Sequence, residues 1–271
     1  MKRFTIRPAP TRPVSPTDTA AIDRRAFLGL AAKGALSVVV SQTLLSCGAG
    51  SATAAIDATS TTGATPGSAS TSCVLTASLT EGPYFVDEKL QRSDIRSDPT
   101  TGIVSAGVPL TLKFAVARIS NGACTPLTGA YLDIWHCDAA GNYSDETANG
   151  TSGRKNLRGY QITDADGVVN FTSIYPGWYS GRAVHVHFKL RIYAGSAKSY
   201  EFTSQFFLDE AQTSAVHANS PYNTRGQRNV VNTTDGIFNS LTTSEKSALT
   251  LQAAPTANGY AGVINLTVQV S

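Results

Sequence analysis

The run Trp178-Tyr179-Ser180-Gly181-Arg182-Ala183-Val184-His185-Val186-His187-Phe188 carries two imidazoles one residue apart. The alternation around them predicts a strand over residues 183–193. Val184, Val186, Phe188, Leu190 and Ile192 fall on one face, and His185, His187, Lys189 and Arg191 on the other. Side chains at i and i+2 of a strand point the same way, roughly 6.6 Å apart along the backbone. Two rings so spaced can converge on one metal ion. Taken alone, a His-x-His strand is more often a solvated face than a metal site, so the company it keeps decides. Tyr179 follows the Pro176-Gly177 turn, Arg182 stands three residues before His185, and Tyr143 closes the tight turn after Trp135-His136-Cys137-Asp138. Tyrosine suits Zn²⁺ or Mg²⁺ poorly, because a phenol loses its proton only near pH ~10. A trivalent ion is a harder acid and holds a phenolate at neutral pH, so two tyrosines with two histidines point to Fe³⁺. Two phenolates and one hydroxide also cancel its three charges, which lets the centre be buried without a large desolvation cost.

The elements that must position these groups read as all-β. From Cys73 to the C-terminus, short alternating runs (residues 110–116, 131–135, 168–171, 183–193, 248–252 and 262–270) are separated by turn dipeptides such as Asn121-Gly122, Asp166-Gly167 and Pro176-Gly177. Several short strands with turns every 8–12 residues predict a β-sandwich with long loops and little helix. Residues 243–251 hold at most a turn or two of helix. Residues 209–235 are polar and without periodicity, and predict a structureless loop covering a site or partner surface. Asp164, Asp166 and Gly167 predict a β-turn, since the ligand spacing of an EF-hand is missing. Asp133, Asp138 and Asp145 read as turn or hydrogen-bonding residues, and His136 and His217 as histidines without a ligand role.

The chain has 271 residues, and its first quarter reads differently. Arg24-Arg25 precede a moderately apolar stretch through Leu45 that is rich in Gly, Ala and Ser and carries Lys33. Residues 1–46 therefore read as a Tat-type export signal rather than a permanent span. The stretch ends in Leu44-Leu45-Ser46-Cys47, which resembles a lipobox whose Cys47 would carry a lipid, the one membrane attachment expected. Residues 47–72 are dominated by Ala, Gly, Ser and Thr and read as a flexible spacer, leaving residues 73–271 as one domain with its own core. The net charge of +3 belongs to the leader: residues 1–46 hold seven of the 22 Lys and Arg but two of the 19 Asp and Glu. The remainder carries 15 against 17, about −2, which argues against nucleic acid as a partner. An oxidising compartment permits one disulfide, expected as Cys73 with Cys124, with Cys137 left as a buried thiol.

Tyr143 eight residues after Trp135, the Pro176-Gly177-Trp178-Tyr179 turn, Arg182 and His185-Val186-His187 together resemble the signature of the intradiol ring-cleavage dioxygenases. Thr80-Glu81-Gly82-Pro83-Tyr84, Thr163-Asp164-Ala165-Asp166-Gly167 and Ser204-Gln205-Phe206-Phe207 add to the resemblance, which spans most of residues 73–271. Five residues separate Tyr179 from His185, fewer than in protocatechuate enzymes, so the likeness is to a shorter, exported, single-chain branch. The resemblance implies a prealbumin-like β-sandwich core. It makes Tyr143, Tyr179, His185 and His187 ligands of one non-haem Fe(III) per chain, with Tyr179 the favoured choice for displacement by substrate. It also implies cleavage of a catechol by O₂ between the hydroxyl-bearing carbons to a cis,cis-muconate. Arg182 would set a positive charge beside the substrate ring, and Gln205 would orient substrate. Gly82, Pro83 and Tyr84 would form pocket wall, with Trp135 behind the iron. The likeness admits a homodimer.

Two other readings compete. Residues 127–130, 138–141, 163–167 and 175–177 also resemble transthyretin-like and adhesin β-sandwich modules, which are non-catalytic and lack the His-x-His strand. A Zn²⁺ hydrolase or lyase would need a third histidine, such as His136, beside His185 and His187. Colour separates that reading, since ferric tyrosinate absorbs visible light and zinc sites do not.

Overall fold

The computed structural model describes residues 74–270. The stretches read as an export signal and a spacer, with Cys47 and Cys73, lie outside the described residues. Two-residue periodicity gives strands β1 (Pro109–Ser120), β2 (Ala123–Pro126), β3 (Tyr131–Trp135), β4 (Arg158–Ile162) and β5 (Val168–Ile174). There follow β6 (His185–Ala194), β7 (Ala197–Leu208), β8 (Thr250–Leu251), β9 (Ala254–Pro255) and β10 (Tyr260–Gln269). One sheet has the order β2-β1-β10-β9. In it β10 runs parallel to β1, and β5 joins the first part of β1 antiparallel. The other has the order β4-β3-β6-β7-β8, antiparallel except for β7 with β8.

The sheets bury their facing residues against each other, as the all-β sandwich reading requires. Leu110, Leu112 and Phe114 of β1, Phe171 of β5 and Leu266 of β10 meet Leu132 and Ile134 of β3, Val186, Phe188 and Leu190 of β6, and Phe206 of β7. The Phe114 ring sits at the centre, 5.9 Å from Phe171, 6.2 Å from Phe188 and 6.0 Å from Phe206. Each such side chain contributes about 1.5–3 kcal/mol on burial.

The other face of β6 is not left to water, because His185, His187, Lys189 and Arg191 are all buried. Residues 79–92 lie over it as a strap. Lys189 pairs with Glu81 and stands 3.7 Å from the Phe85 ring centre, while Arg191 bonds Asp87 at 2.9 Å and Asp133 at 2.7 Å. Burying two cations is tolerable here because each meets carboxylates.

Three expectations change. Residues 209–235 are not structureless: α1 (Glu210–His217) fills their start, capped by the Asp209 carboxylate on Gln212 N–H, and two 3₁₀ turns follow. Only Thr213 and Val216 of α1 are buried, so it leaves no apolar periodicity to read. Next come α2 (Gly236–Asn239) and α3 (Thr243–Ala248), the latter within the stretch where a helical turn was expected. The run 248–252 contributes two strand residues, and β6 begins at His185 rather than Ala183, so Arg182 lies before the strand. Side chains take the Ala183 backbone groups: its N–H donates to Asp235 and its carbonyl accepts from His185. His136 and His217, read as histidines without a ligand role, are both enclosed. His136 is fully buried, and His217 stacks on Tyr222 and bonds the Pro176 carbonyl.

The Asp164–Gly167 β-turn is present, with Gly167 N–H on the Asp164 carbonyl at 3.0 Å. Asp133 proves to be a strand residue paired with Arg191. Cys124 is disulfide-bonded, and Cys137 is a buried free thiol donating to the Gly177 carbonyl. No helix among the described residues is long and apolar enough to cross a membrane.

Candidate metal centre

Strand register lays out the floor of the site. Trp135 of β3 and Gln205 of β7 are the cross-strand partners of His187 on either side, and Phe207 is the partner of His185. Trp135 stacks flat on the His187 ring, centres 4.9 Å apart and planes 5° apart. The two imidazoles stand at 83° to each other, and this rotation closes their Nε2 atoms to 3.0 Å.

The tyrosines arrive on two turns pressed together. The Asp138 carboxylate accepts Ala140 and Asn142 N–H groups, shaping the turn that delivers Tyr143. Gly141 and Gly177 make the close approach possible. A Cβ on Gly141 would lie 2.0 Å from the Trp178 carbonyl oxygen, and one on Gly177 would lie 2.4 Å from that of Asp138. Arg225 bridges both turns, bonding the Ala140 carbonyl and lying 5.2 Å from the Trp178 ring centre. As a result the Tyr143 and Tyr179 hydroxyls reach His185 Nε2 at 3.5 and 3.3 Å.

The strap supplies a wall. Tyr84 stacks on Tyr143 at 4.2 Å, and a Cβ on Gly82 would come 3.3 Å from His187 Cε1. Pro83, between them, is exposed. Arg182 donates from Nε to Asp235 Oδ2 at 2.8 Å and from Nη2 to Gln205 Oε1 at 2.6 Å. The sequence-predicted ligands, Arg182, Gln205, Trp135, Gly82 and Tyr84 are thus gathered in one place. Asp235, Phe85 and the close approach of Gly141 to Trp178 and of Gly177 to Asp138 were missed. The one signal for Asp235 was its position before Gly236-Ile237-Phe238, a helix-start pattern at the end of a polar run.

Burial governs the ionisation of the four donors. It pushes Tyr179 up to about 12, with Arg182 partly offsetting, and Tyr143 well above the ordinary phenol range. It drives His185 down to about 3, helped by Arg182, and His187 well below the ordinary imidazole value. His185 Nδ1 donates to the Ala183 carbonyl at 2.6 Å, which leaves its Nε2 lone pair facing the tyrosines. His187 Nδ1 is buried without a hydrogen-bond partner. Two imidazoles and two phenols, all neutral on their own, therefore converge on one point.

Donors held about 2.1 Å from a common centre at 90–110° are separated by about 3.0–3.4 Å. The Nε2–Nε2 distance of 3.0 Å and the Tyr179 hydroxyl–Nε2 distance of 3.3 Å fall within that spacing, and the Tyr143 distance of 3.5 Å lies just beyond it. A hard trivalent cation reverses the tyrosines' reluctance to ionise, so the donor set fits Fe³⁺. It fits zinc poorly. Both nitrogens of His136 are engaged, at 2.8 Å from the Cys137 carbonyl and 2.7 Å from Ser173 Oγ. Among the described residues no group of three His, Cys, Asp or Glu side chains is arranged to hold a metal.

A β-sandwich with a buried histidine–tyrosine cluster and an arginine–glutamine pair beside it defines a candidate non-haem metalloprotein. Comparison with known proteins narrows the class. A family model described as dioxygenase matches residues 80–212. Catechol 1,2-dioxygenase of Candida albicans is 33% identical over 106 residues, covering 38% of this chain and 33% of that protein. The chain therefore spans about a third of the length of that curated relative. An intradiol ring-cleavage dioxygenase of Tetranychus urticae is 28% identical with a TM-score of 0.62, covering 73% of this chain and 95% of that one. The dioxygenase domain of a carbohydrate-binding fusion protein from Streptomyces sp. SirexAA-E is 28% identical with a TM-score of 0.52, covering 73% of this chain and all of that one. These matches support the intradiol ring-cleavage dioxygenase family for this chain, with residues 80–212 carrying the family match.

Proposed function

We propose that the protein is a non-haem Fe(III) intradiol dioxygenase that cleaves a catechol-type aromatic between its two hydroxyl-bearing carbons with O₂, giving a cis,cis-muconate-type product. One observation carries the reading: Tyr143, Tyr179, His185 and His187 bring four neutral donor atoms together at separations of 3.0–3.5 Å. These four residues would hold the ion, which when bound supplies the activation of a catecholate toward O₂. Tyr143 is buried and stacked, whereas Tyr179 is partly exposed on its turn. That difference favours Tyr179 as the side chain that moves aside for substrate, its Oη taking up a catechol proton. Arg182, held by Asp235 and Gln205, keeps a fixed positive charge beside the substrate and stabilises negative charge developing on the ring. Gln205 orients, and Trp135 and Tyr84 exclude water from the centre.

The twin arginines of the leader and the disulfide at Cys124 support export by the Tat route to the periplasm or cell surface. Oxygen uptake by the iron-loaded full chain against a panel of catechols tests the function. The expected result is one O₂ consumed per acyclic diacid formed. A semialdehyde from cleavage beside the hydroxyls, or no uptake with any catechol, would overturn it.

A further inference from the structure

We propose that Asp235 is the positioning residue for Arg182, acting from the start of α2 on a side chain 53 residues earlier. The inference rests on the dioxygenase reading for its catalytic meaning, and on geometry for the contact itself. Asp235 is 1% exposed, and its two carboxylate oxygens divide their work. Oδ1 caps α2, accepting the N–H groups of Ile237 at 2.8 Å and Phe238 at 3.0 Å. Oδ2 faces the site, accepting Arg182 Nε at 2.8 Å and Ala183 N–H at 2.8 Å.

The second pair of bonds matters for two reasons. A guanidinium gripped at Nε by a carboxylate and at Nη2 by Gln205 has its plane fixed from two sides, and a free arginine would sample many rotamers. The same oxygen anchors Ala183, whose carbonyl accepts from His185 Nδ1 at 2.6 Å. One buried carboxylate therefore orients Arg182 and the peptide that aims the first histidine.

Asp235→Asn separates the two jobs. Asparagine is a good N-cap, so its oxygen keeps the α2 bonds, while its amide offers donors where Arg182 and Ala183 need an acceptor. Two readouts are required. The first needs neither metal nor turnover: phenylglyoxal modification of Arg182, mapped by mass spectrometry in the metal-free full chain, is expected to speed up about fivefold or more as the guanidinium is released. The second is a double-mutant cycle in the iron-loaded chain. D235N is expected to lower kcat/KM by about 10–100-fold, and by less than about twofold in an Arg182→Ala background.

Equal losses in both backgrounds, or unchanged Arg182 reactivity with undiminished turnover, would overturn the assignment. A wild-type chain inert toward every catechol, with Arg182 still released in D235N, would sink the dioxygenase reading and leave the positioning role standing. If D235N fails to fold, Asp235→Ser, whose hydroxyl caps the same helix, carries the same comparisons.

Discussion

Between His185 and His187 the backbone spans roughly 6.6 Å, and rotating the rings to 83° brings their Nε2 atoms to 3.0 Å. That closing works because Trp135 braces one ring and the Ala183 carbonyl fixes the other. Two predictions belong here. Arg182→Ala keeps iron but loses about 10²-fold or more in kcat, checked by metal content beside steady-state kinetics. Gly82→Ala sets a methyl 3.3 Å from His187 Cε1 on a residue with φ of +69°. It is expected to cost about 1 kcal/mol in a urea melt and to lower kcat/KM several-fold. The donor types at Tyr143, Tyr179, His185 and His187 were legible from residue types and strand alternation, and their grouping from the family resemblance. Asp235 was not, since a contact between a helix cap and a pre-strand arginine 53 residues away leaves no period in the chain.

At the scale of elements, the site is where β6 meets two turns and a strap. Gly177→Ala would put a Cβ 2.4 Å from the Asp138 carbonyl and force the two tyrosine-bearing turns apart. It is expected to cost about 1–3 kcal/mol in a urea melt and to reduce iron occupancy together with stability. Long strands such as β1 and β6 were readable because alternate residues of each pack against the opposite sheet. The strap was not, because its hold on β6 is ionic. Lys189 and Arg191 looked like a solvated face until Glu81 and Asp87 closed over them. The stretch 209–235 misled for the opposite reason: α1 is fixed by the Asp209 cap and two buried residues, too few to write a helical pattern.

For the whole molecule, stability rests on the sandwich centred on Phe114 and depends on pH through buried groups. Phe114→Ala is expected to cost about 3–5 kcal/mol by urea melting. His136 is buried, and burial holds its folded pKa down to about 4, below the ordinary imidazole value of 6.5. The unfolded chain therefore binds the extra proton first as the pH falls. The stability contributed is complete above pH ~6.5 and is lost toward pH ~4, about 3 kcal/mol by that point. Urea melts between pH 7 and 4 should show the decline, and His136→Gln should flatten part of it.

The visible absorption spectrum of the iron-loaded full chain, compared with Tyr143→Phe and Tyr179→Phe, tests the shared centre most directly. The account predicts a reddish protein whose charge-transfer band shifts or weakens in each variant while bound iron remains measurable. A colourless iron-loaded protein, or a band unchanged by both substitutions, would contradict it.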